Sequence, residues 1–305
     1  MRFSSSLSAT VALALFMGIA GPRTLAAQQR PLKVYISADM EGVAGVVSDE
    51  QLGTSGFEYG RFREFMTAEV LAAIQGARDA GATTIVVSDS HGNGQNLLIE
   101  KFADDIRIIR SWPRPLGMMQ GIDSTFDAVV FVGYHASTNN MNGVRAHTFS
   151  SATLTSVLLN GVAIPEAGLN AAIAGSFGVP VVAITGDDAT ITEVQKLLGN
   201  VEGAVVKTAI SFHAANTMTP AAAQQLIRAK VKAGITRRAE MKPYVVATPV
   251  RLEIGFKQYR QAEILGYLSI VERISSHSIR FTGKDITEVS KFLEFIGDYS
   301  TTITP

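Results

Sequence analysis

Three strings in the sequence each place a carboxylate or an imidazole just after an apolar run. They are Ser37-Ala-Asp39-Met-Glu41-Gly42, Ser88-Asp89-Ser-His91-Gly92 and Gly133-Tyr-His135-Ala136. A fourth, Pro165-Glu166-Ala-Gly-Leu-Asn170, opens a small-residue segment. Asp39 and Glu41 are two apart, so an extended chain points both carboxylates to one side. Two like charges there repel, and one pKa rises unless a cation lies between them. Asp39, Glu41, His91, His135 and Glu166 together offer three carboxylates and two imidazoles. That exceeds the three protein ligands plus water of one catalytic zinc. It fits two divalent ions sharing a bridging carboxylate, about 3.5–4 Å apart, able to hold a hydroxide and polarise a carbonyl or phosphoryl oxygen. The chain has no cysteine, so ligands must be nitrogen and oxygen, which suit zinc, manganese or cobalt. The spacing predicts a metallohydrolase without choosing peptide over phosphate ester.

Each residue alone also fits a plain role. An Asp-x-Glu pair is common on surfaces, and a lone histidine usually has an ordinary hydrogen bond. Glu166 suits a helix N-terminus through the dipole. Asp89 fits either a ligand or a partner orienting His91 or His135. Asp187 and Asp188 fit a helix cap or the rim of a site. His147, in Arg145-Ala-His147-Thr148, reads by itself as an exposed loop histidine.

What lifts the set above these readings is the elements that must hold it. Residues 34–37, 83–88, 128–133 and 179–185 are short Val/Ile-rich runs. Continuous rather than alternating apolar residues predict strands buried on both faces, as in a parallel sheet between helices. Helical spacing over residues 61–80 and a small-residue segment over 167–177 supply such helices. Ligands bind at the carboxyl ends of parallel strands, so the first three strings converge on one rim. After about residue 200 the texture changes. Thr219-Pro220 opens a helix through residue 233, residues 245–254 and 269–281 read as longer antiparallel strands, and a last helix begins near Asp285. The expected fold is α/β, a mostly parallel sheet flanked by helices over residues 31–204, with a smaller α+β C-terminal lobe over 205–305.

Charge is balanced, 27 basic against 27 acidic among 305 residues, and 47% of residues are apolar. Such neutrality gives no electrostatic footprint for nucleic acid, and no basic run suits an anionic membrane. Residues 1–27 read as a secretory leader: Arg2 is the positive start, residues 11–20 are an apolar stretch too short to anchor, and Thr24-Leu-Ala-Ala27 offers small residues for cleavage. Export to the periplasm or medium is expected, with no membrane span after processing.

The strings SADMEG, VSDSHG, GYHA, AHTF and PEAGLNAAIAG, in this order over residues 32–190, resemble the D-aminopeptidase (DppA-like) zinc metallopeptidases. Weaker similarity continues through KTAIS and YRQAE. The resemblance implies that Asp39 bridges two zincs, Glu41 and His91 complete one, and His135 and Glu166 complete the other. It implies that His147 is the catalytic nucleophile or base, near the metals but not bound to them. It further implies removal of N-terminal D-amino acids from short peptides by a homo-oligomer, a decamer with its sites facing an inner chamber. A two-metal phosphoesterase and an exported, metal-free solute-binding protein stay open as alternatives.

Overall fold

Strand β1 (Leu32–Ala38) lies in the interior of a seven-stranded sheet, flanked by β2 (Ala82–Asp89) and β4 (Ala128–Val132). The computed structural model describes residues 30–299, together with Met1 and Phe3; the expected leader lies outside the described residues. β3 (Arg107–Ile109), β7 (Val181–Asp187), β8 (Glu202–Ser211) and β9 (Ala214–Thr217) complete the sheet, in the order β3-β2-β1-β4-β7-β8-β9. Pairing is parallel from β3 to β8, and β9 returns antiparallel at the edge.

The runs without alternation are buried on both faces. Val34 and Ile36 of β1, with Val130 and Val132 of β4, pack on one side against helices α2 (Tyr59–Asp79) and α5 (Pro220–Thr236); the short α1 (Asp49–Leu52) precedes α2. Tyr35, Val129 and Phe131 face the other way, toward α3 (Glu166–Ser176), α4 (Asp188–Leu198) and a second sheet. That sheet is antiparallel, ordered β11-β12-β10-β5-β6, from β5 (Leu154–Leu159), β6 (Val162–Ala163), β10 (Val250–Phe256), β11 (Val271–Arg273) and β12 (Ser278–Gly283). Helices α6 (Tyr259–Leu265) and α7 (Ile286–Asp298) pack with it. Each buried aliphatic side chain contributes roughly 1.5–3 kcal/mol relative to exposure, so both faces of β1 stabilise the strand that carries Asp39.

The fold is thus α/β, mostly parallel and flanked by helices, with a smaller α+β portion, as the patterning predicts. Three details differ. The division expected at 204/205 falls inside β8, which continues the parallel sheet beside β7, and the smaller sheet takes β5 and β6 from the first part; the described residues from Pro31 onward form one compact unit. The strand expected from residue 245 begins only at Val250, because Pro249 has no N–H to give a ladder. The run 269–281 folds back as the β11–β12 hairpin, the turn lying at Ser275-Ser276.

Candidate metal centre

Register brings the strings together. Ala38 pairs with Asp89 of β2 and with Val132 of β4, so the residues after all three strands emerge side by side at the carboxyl edge. The ladder runs one step further, with Asp39 N–H donating to Val132 O and Ser90 N–H to Ala38 O, each 2.8 Å. Gly42 N–H donates to Gly133 O at 2.7 Å. A Cβ on Gly42 would lie 2.0 Å from the Tyr134 carbonyl oxygen, and one on Gly133, at φ 72°, would lie 2.2 Å from that of Asp39. Only glycine at both positions permits so close an approach, and this joins the segment bearing Asp39 and Glu41 to the one bearing His135.

Three imidazoles are oriented by backbone carbonyls. His91 Nε2 lies 2.9 Å from Leu52 O, His135 Nδ1 3.1 Å from Ala136 O, and His147 Nδ1 2.8 Å from Arg145 O. A carbonyl only accepts, so the ring nitrogen facing it carries the proton. The other nitrogen of each ring is turned toward carboxylates. His91 Nδ1 is 3.2 Å from Asp39 Oδ1 and 3.0 Å from Glu41 Oε2. His135 Nε2 is 3.3 Å from Asp39 Oδ2 and 3.5 Å from Glu166 Oε1, and His147 Nε2 is 3.8 Å from the same Glu166 oxygen. Asp39 therefore faces one histidine with each of its oxygens.

This arrangement fits cations. Asp39 Oδ2 and His135 Nε2 are buried and have no hydrogen-bond partner. Two buried lone pairs facing each other cost free energy unless something positive lies between them. Ligand atoms of Asp39, Glu41 and His135 lie within 4.8 Å of one another, and so do those of His135, His147 and Glu166. His147 thus stands close enough to join a ligand set, although the resemblance places it off the metals. Electrostatics agree. Burial and the charge on Glu41 push the Asp39 carboxyl up. Burial also opposes charge on Glu41, but His91 outweighs it and holds that carboxyl well below its usual range. Burial likewise disfavours charge on His91 and His135, yet the carboxylates around them raise both well above an ordinary histidine. Acids and imidazoles therefore stabilise each other's charged forms across the cluster, against the cost of their burial.

A buried cation holds the turn after Glu41. Lys207 of β8 is 2% exposed. Its Nζ donates to the carbonyls of Glu41, Val43 (3.1 Å) and Val46 (2.7 Å). Burial lowers its pKa to about 8. Beside the same turn, Glu69 of α2 accepts from Ala44 N–H at 2.9 Å, and burial raises its carboxyl to about 7. Neither residue stands out in the sequence as part of a site.

The remaining candidates are placed as follows. Asp89 touches neither histidine. Its oxygens accept from Asn96 Nδ2 and Leu97 N–H, both at 2.8 Å, and Asn96 Nδ2 also donates to His91 O at 2.6 Å. Of the two roles open to Asp89, ligand or partner of a histidine, its side chain takes neither here: it braces the loop after His91, because it turns toward that loop's amides. Asp187 caps α4 through Thr190 N–H at 2.7 Å and also accepts from Val144 N–H at 2.6 Å, tying the helix to the loop before His147. Asp188 accepts from Ala209 N–H at 2.9 Å. His147 is half-buried rather than exposed, and its ring stacks on His135 with centroids 3.9 Å apart and planes 8° from parallel. Arg145 and Phe149 on either side of it have φ of 54° and 62°, a left-handed backbone that side-chain-bearing residues adopt only when surroundings impose it. Phe149 N–H donates to Glu166 Oε1 at 2.5 Å. The carboxylates and histidines open onto a cavity of about 980 Å³ whose far wall comes from the smaller sheet, α6 and α7.

Fold and site together define an α/β protein with a nitrogen- and oxygen-lined metal centre at the carboxyl edge of its parallel sheet. The Peptidase M55 family model, described as D-aminopeptidase, matches residues 32–295. A D-aminopeptidase of Bacillus subtilis (strain 168) is 33% identical over 258 residues, covering 84% of this chain and 93% of the relative. The solved structure of the Zn-dependent D-aminopeptidase DppA from Bacillus subtilis, described as a self-compartmentalizing protease, superposes with a TM-score of 0.85 at 31% identity, over 90% of this chain and 99% of that one. The chain belongs to the M55 D-aminopeptidase family.

Proposed function

We propose that the protein is a dinuclear zinc aminopeptidase that removes N-terminal D-amino acids from short peptides. The observation that carries this reading is Asp39, set between His91 and His135 with an oxygen toward each. Glu41 with His91, and Glu166 with His135, would complete the two ion sites. Bound there, the ions would supply Lewis-acid polarisation of the scissile carbonyl.

The chain's own groups do the rest. His147 turns Nδ1 to Arg145 O, so in the neutral ring Nε2 is the lone-pair nitrogen, placed to take a proton from the attacking group and return it to the leaving amine. If His147 is instead the nucleophile, the same bare nitrogen attacks. The described residues lining the cavity include no lysine or arginine, which suits a peptide better than a phosphate ester.

Zinc follows the solved relative, and its self-compartmentalizing assembly supports a homo-oligomer here, a decamer by family resemblance. Export is part of the same proposal and rests on residues 1–27 alone, which would place the enzyme among peptides outside the cytoplasm. Among the described residues no helix is long and apolar enough to cross a membrane.

The test couples elemental analysis to turnover. We expect about two zincs per chain and release of D-alanine from small D-peptides, with L-peptides slower. Equal turnover of L-peptides removes the D-specific claim, and aryl phosphate hydrolysis without peptide hydrolysis selects the phosphoesterase. A processed N-terminus near residue 28 in the exported fraction is the result expected for the leader; an intact N-terminus in the cytoplasm overturns export.

A further inference from the structure

The cavity beside the metal centre is larger and more apolar than hydrolysis at the cluster requires. At about 980 Å³ it stands at the upper end of the roughly 300–1,000 Å³ typical of ligand pockets. One side is the cluster. The opposite wall is built by Leu154, Ile254, Phe256, Leu265, Leu268 and Leu293, from β5, β10, α6 and its following turn, and α7. Leu154, Ile254, Phe256 and Leu293 belong to the core that joins the two sheets and Leu265 packs against it, so this part of the wall is fixed by packing before any ligand arrives, while Leu268 stands exposed at its margin.

Charge decides what enters. Away from the cluster the described ionisable side chains lining the cavity are Glu294 and Asp298, both on α7, and the phenol of Tyr299; no lysine or arginine is among the described residues that line it. The free carboxylate of a short peptide finds no cation there and meets two acids, so the peptide's carboxyl end points elsewhere. A side chain on the residue whose carbonyl lies at the cluster has the apolar wall before it. A methyl group would leave most of that wall facing water; a branched or aromatic side chain would cover it.

We propose that this cavity is the subsite for the side chain of the substrate's N-terminal residue, and that it selects apolar side chains larger than methyl. The inference rests on the peptidase reading above and names the substrate class of that site.

The experiment compares kcat/KM of the zinc-loaded enzyme on p-nitroanilides of D-alanine, D-leucine, D-lysine and D-glutamate. We expect D-leucine to exceed D-alanine by at least about tenfold, within the range that added methylenes give in an apolar pocket, with D-glutamate slowest. Leu268→Asp, at an exposed position, and Leu265→Asp should each lower the D-leucine to D-alanine ratio at least about fivefold. A D-alanine rate equal to or above that of D-leucine overturns the subsite while leaving the aminopeptidase reading intact. D-lysine as the best substrate also overturns it and assigns the cavity to Glu294 and Asp298. If no anilide turns over, the peptidase reading fails separately. Calorimetric binding of D-leucine and D-alanine hydroxamates to the zinc-loaded protein then decides the cavity: tighter D-leucine hydroxamate supports it, and equal affinity or no binding overturns it.

Discussion

The imidazoles of His135 and His147 stack face to face, 3.9 Å between centroids and 8° from parallel, yet backbone carbonyls hold them for different tasks. His135 is 1% exposed and turns Nε2 to both Asp39 and Glu166. His147 is less buried and turns Nε2 toward Glu166 alone, from 3.8 Å. The stack separates a ring suited to coordination from a ring suited to proton transfer. His147→Ala is expected to keep zinc and lose at least about 100-fold in kcat, the scale of general acid–base assistance. His135→Ala should lose zinc along with turnover. Zinc content beside kcat for the two variants checks this. Loss of a zinc from His147→Ala would make His147 a ligand, and near wild-type turnover with zinc retained would remove its catalytic role.

Lys207 is the next dependency. One ammonium supplies three carbonyls of the turn that begins at Glu41. Lys207→Met keeps the stem and removes the donors, leaving buried acceptors unpaired at a cost of about 1–3 kcal/mol. Because the turn fixes Glu41, zinc affinity should weaken about 10- to 100-fold, as when a ligand's supporting group is removed. Thermal unfolding and a competitive chelator titration read the two effects separately. A lower Tm with unchanged zinc affinity would confine Lys207 to stability.

Asp39, Glu41, His91 and His135 were legible because each follows a buried apolar run, and a parallel sheet sends all such ends to one edge; Glu166, at the start of α3, and His147, in a loop, took their roles only from the family resemblance. What orients them was not. Leu52, Ala136 and Arg145 act on the histidines through carbonyls that every residue possesses, so their identities carry no signal. Lys207 lies in the KTAIS string, where nothing local marks a single lysine as buried; its burial follows from the turn after Glu41 folding over it. The apolar wall of the cavity depends on pairing β5 with β10, Leu159 against Leu252. No local pattern announces a partnership between segments so far apart, which is also why the lobe boundary expected at 204/205 cuts through a strand. The position of Asp89 leaves it open as a ligand or as a partner for a histidine, and side-chain direction, set by the loop amides, takes it to neither.

Glu69 gives a pH dependence with a definite sign. Burial raises its folded-state carboxyl from 4.5 to about 7. Between those values the folded protein holds a proton that the unfolded chain has released. Stability from this group is therefore full below pH 4.5, falls as pH rises toward 7, and is lost above it. Two and a half units correspond to at most about 3 kcal/mol. Glu69→Gln keeps an acceptor for Ala44 N–H and removes the titration. The variant should gain Tm relative to the parent at pH 8 and lose the gain at pH 5. A constant difference across that range would show that Glu69 does not titrate in the folded protein.

Gly42 is the most stringent test of how the centre is assembled. A methyl there would stand 2.0 Å from Tyr134 O and 2.5 Å from the Gly133 carbonyl carbon, and both are backbone atoms that cannot rotate away. Gly42→Ala must push apart the segments carrying Asp39 and His135, whose Oδ2 and Nε2 are 3.3 Å apart. Overpacking of this kind costs roughly 1–3 kcal/mol or more, and even a 1 Å misplacement at the site costs on the order of 100-fold in rate. Gly60 in α2 supplies the comparison, since a Cβ there meets nothing within 4 Å; Gly60→Ala should leave kcat unchanged and raise stability by up to about 1 kcal/mol. Zinc content, kcat and Tm for both variants check the pair. If Gly42→Ala bound zinc and turned over substrate like Gly60→Ala, the close approach of the two strand ends would not be what sets Asp39 against His135.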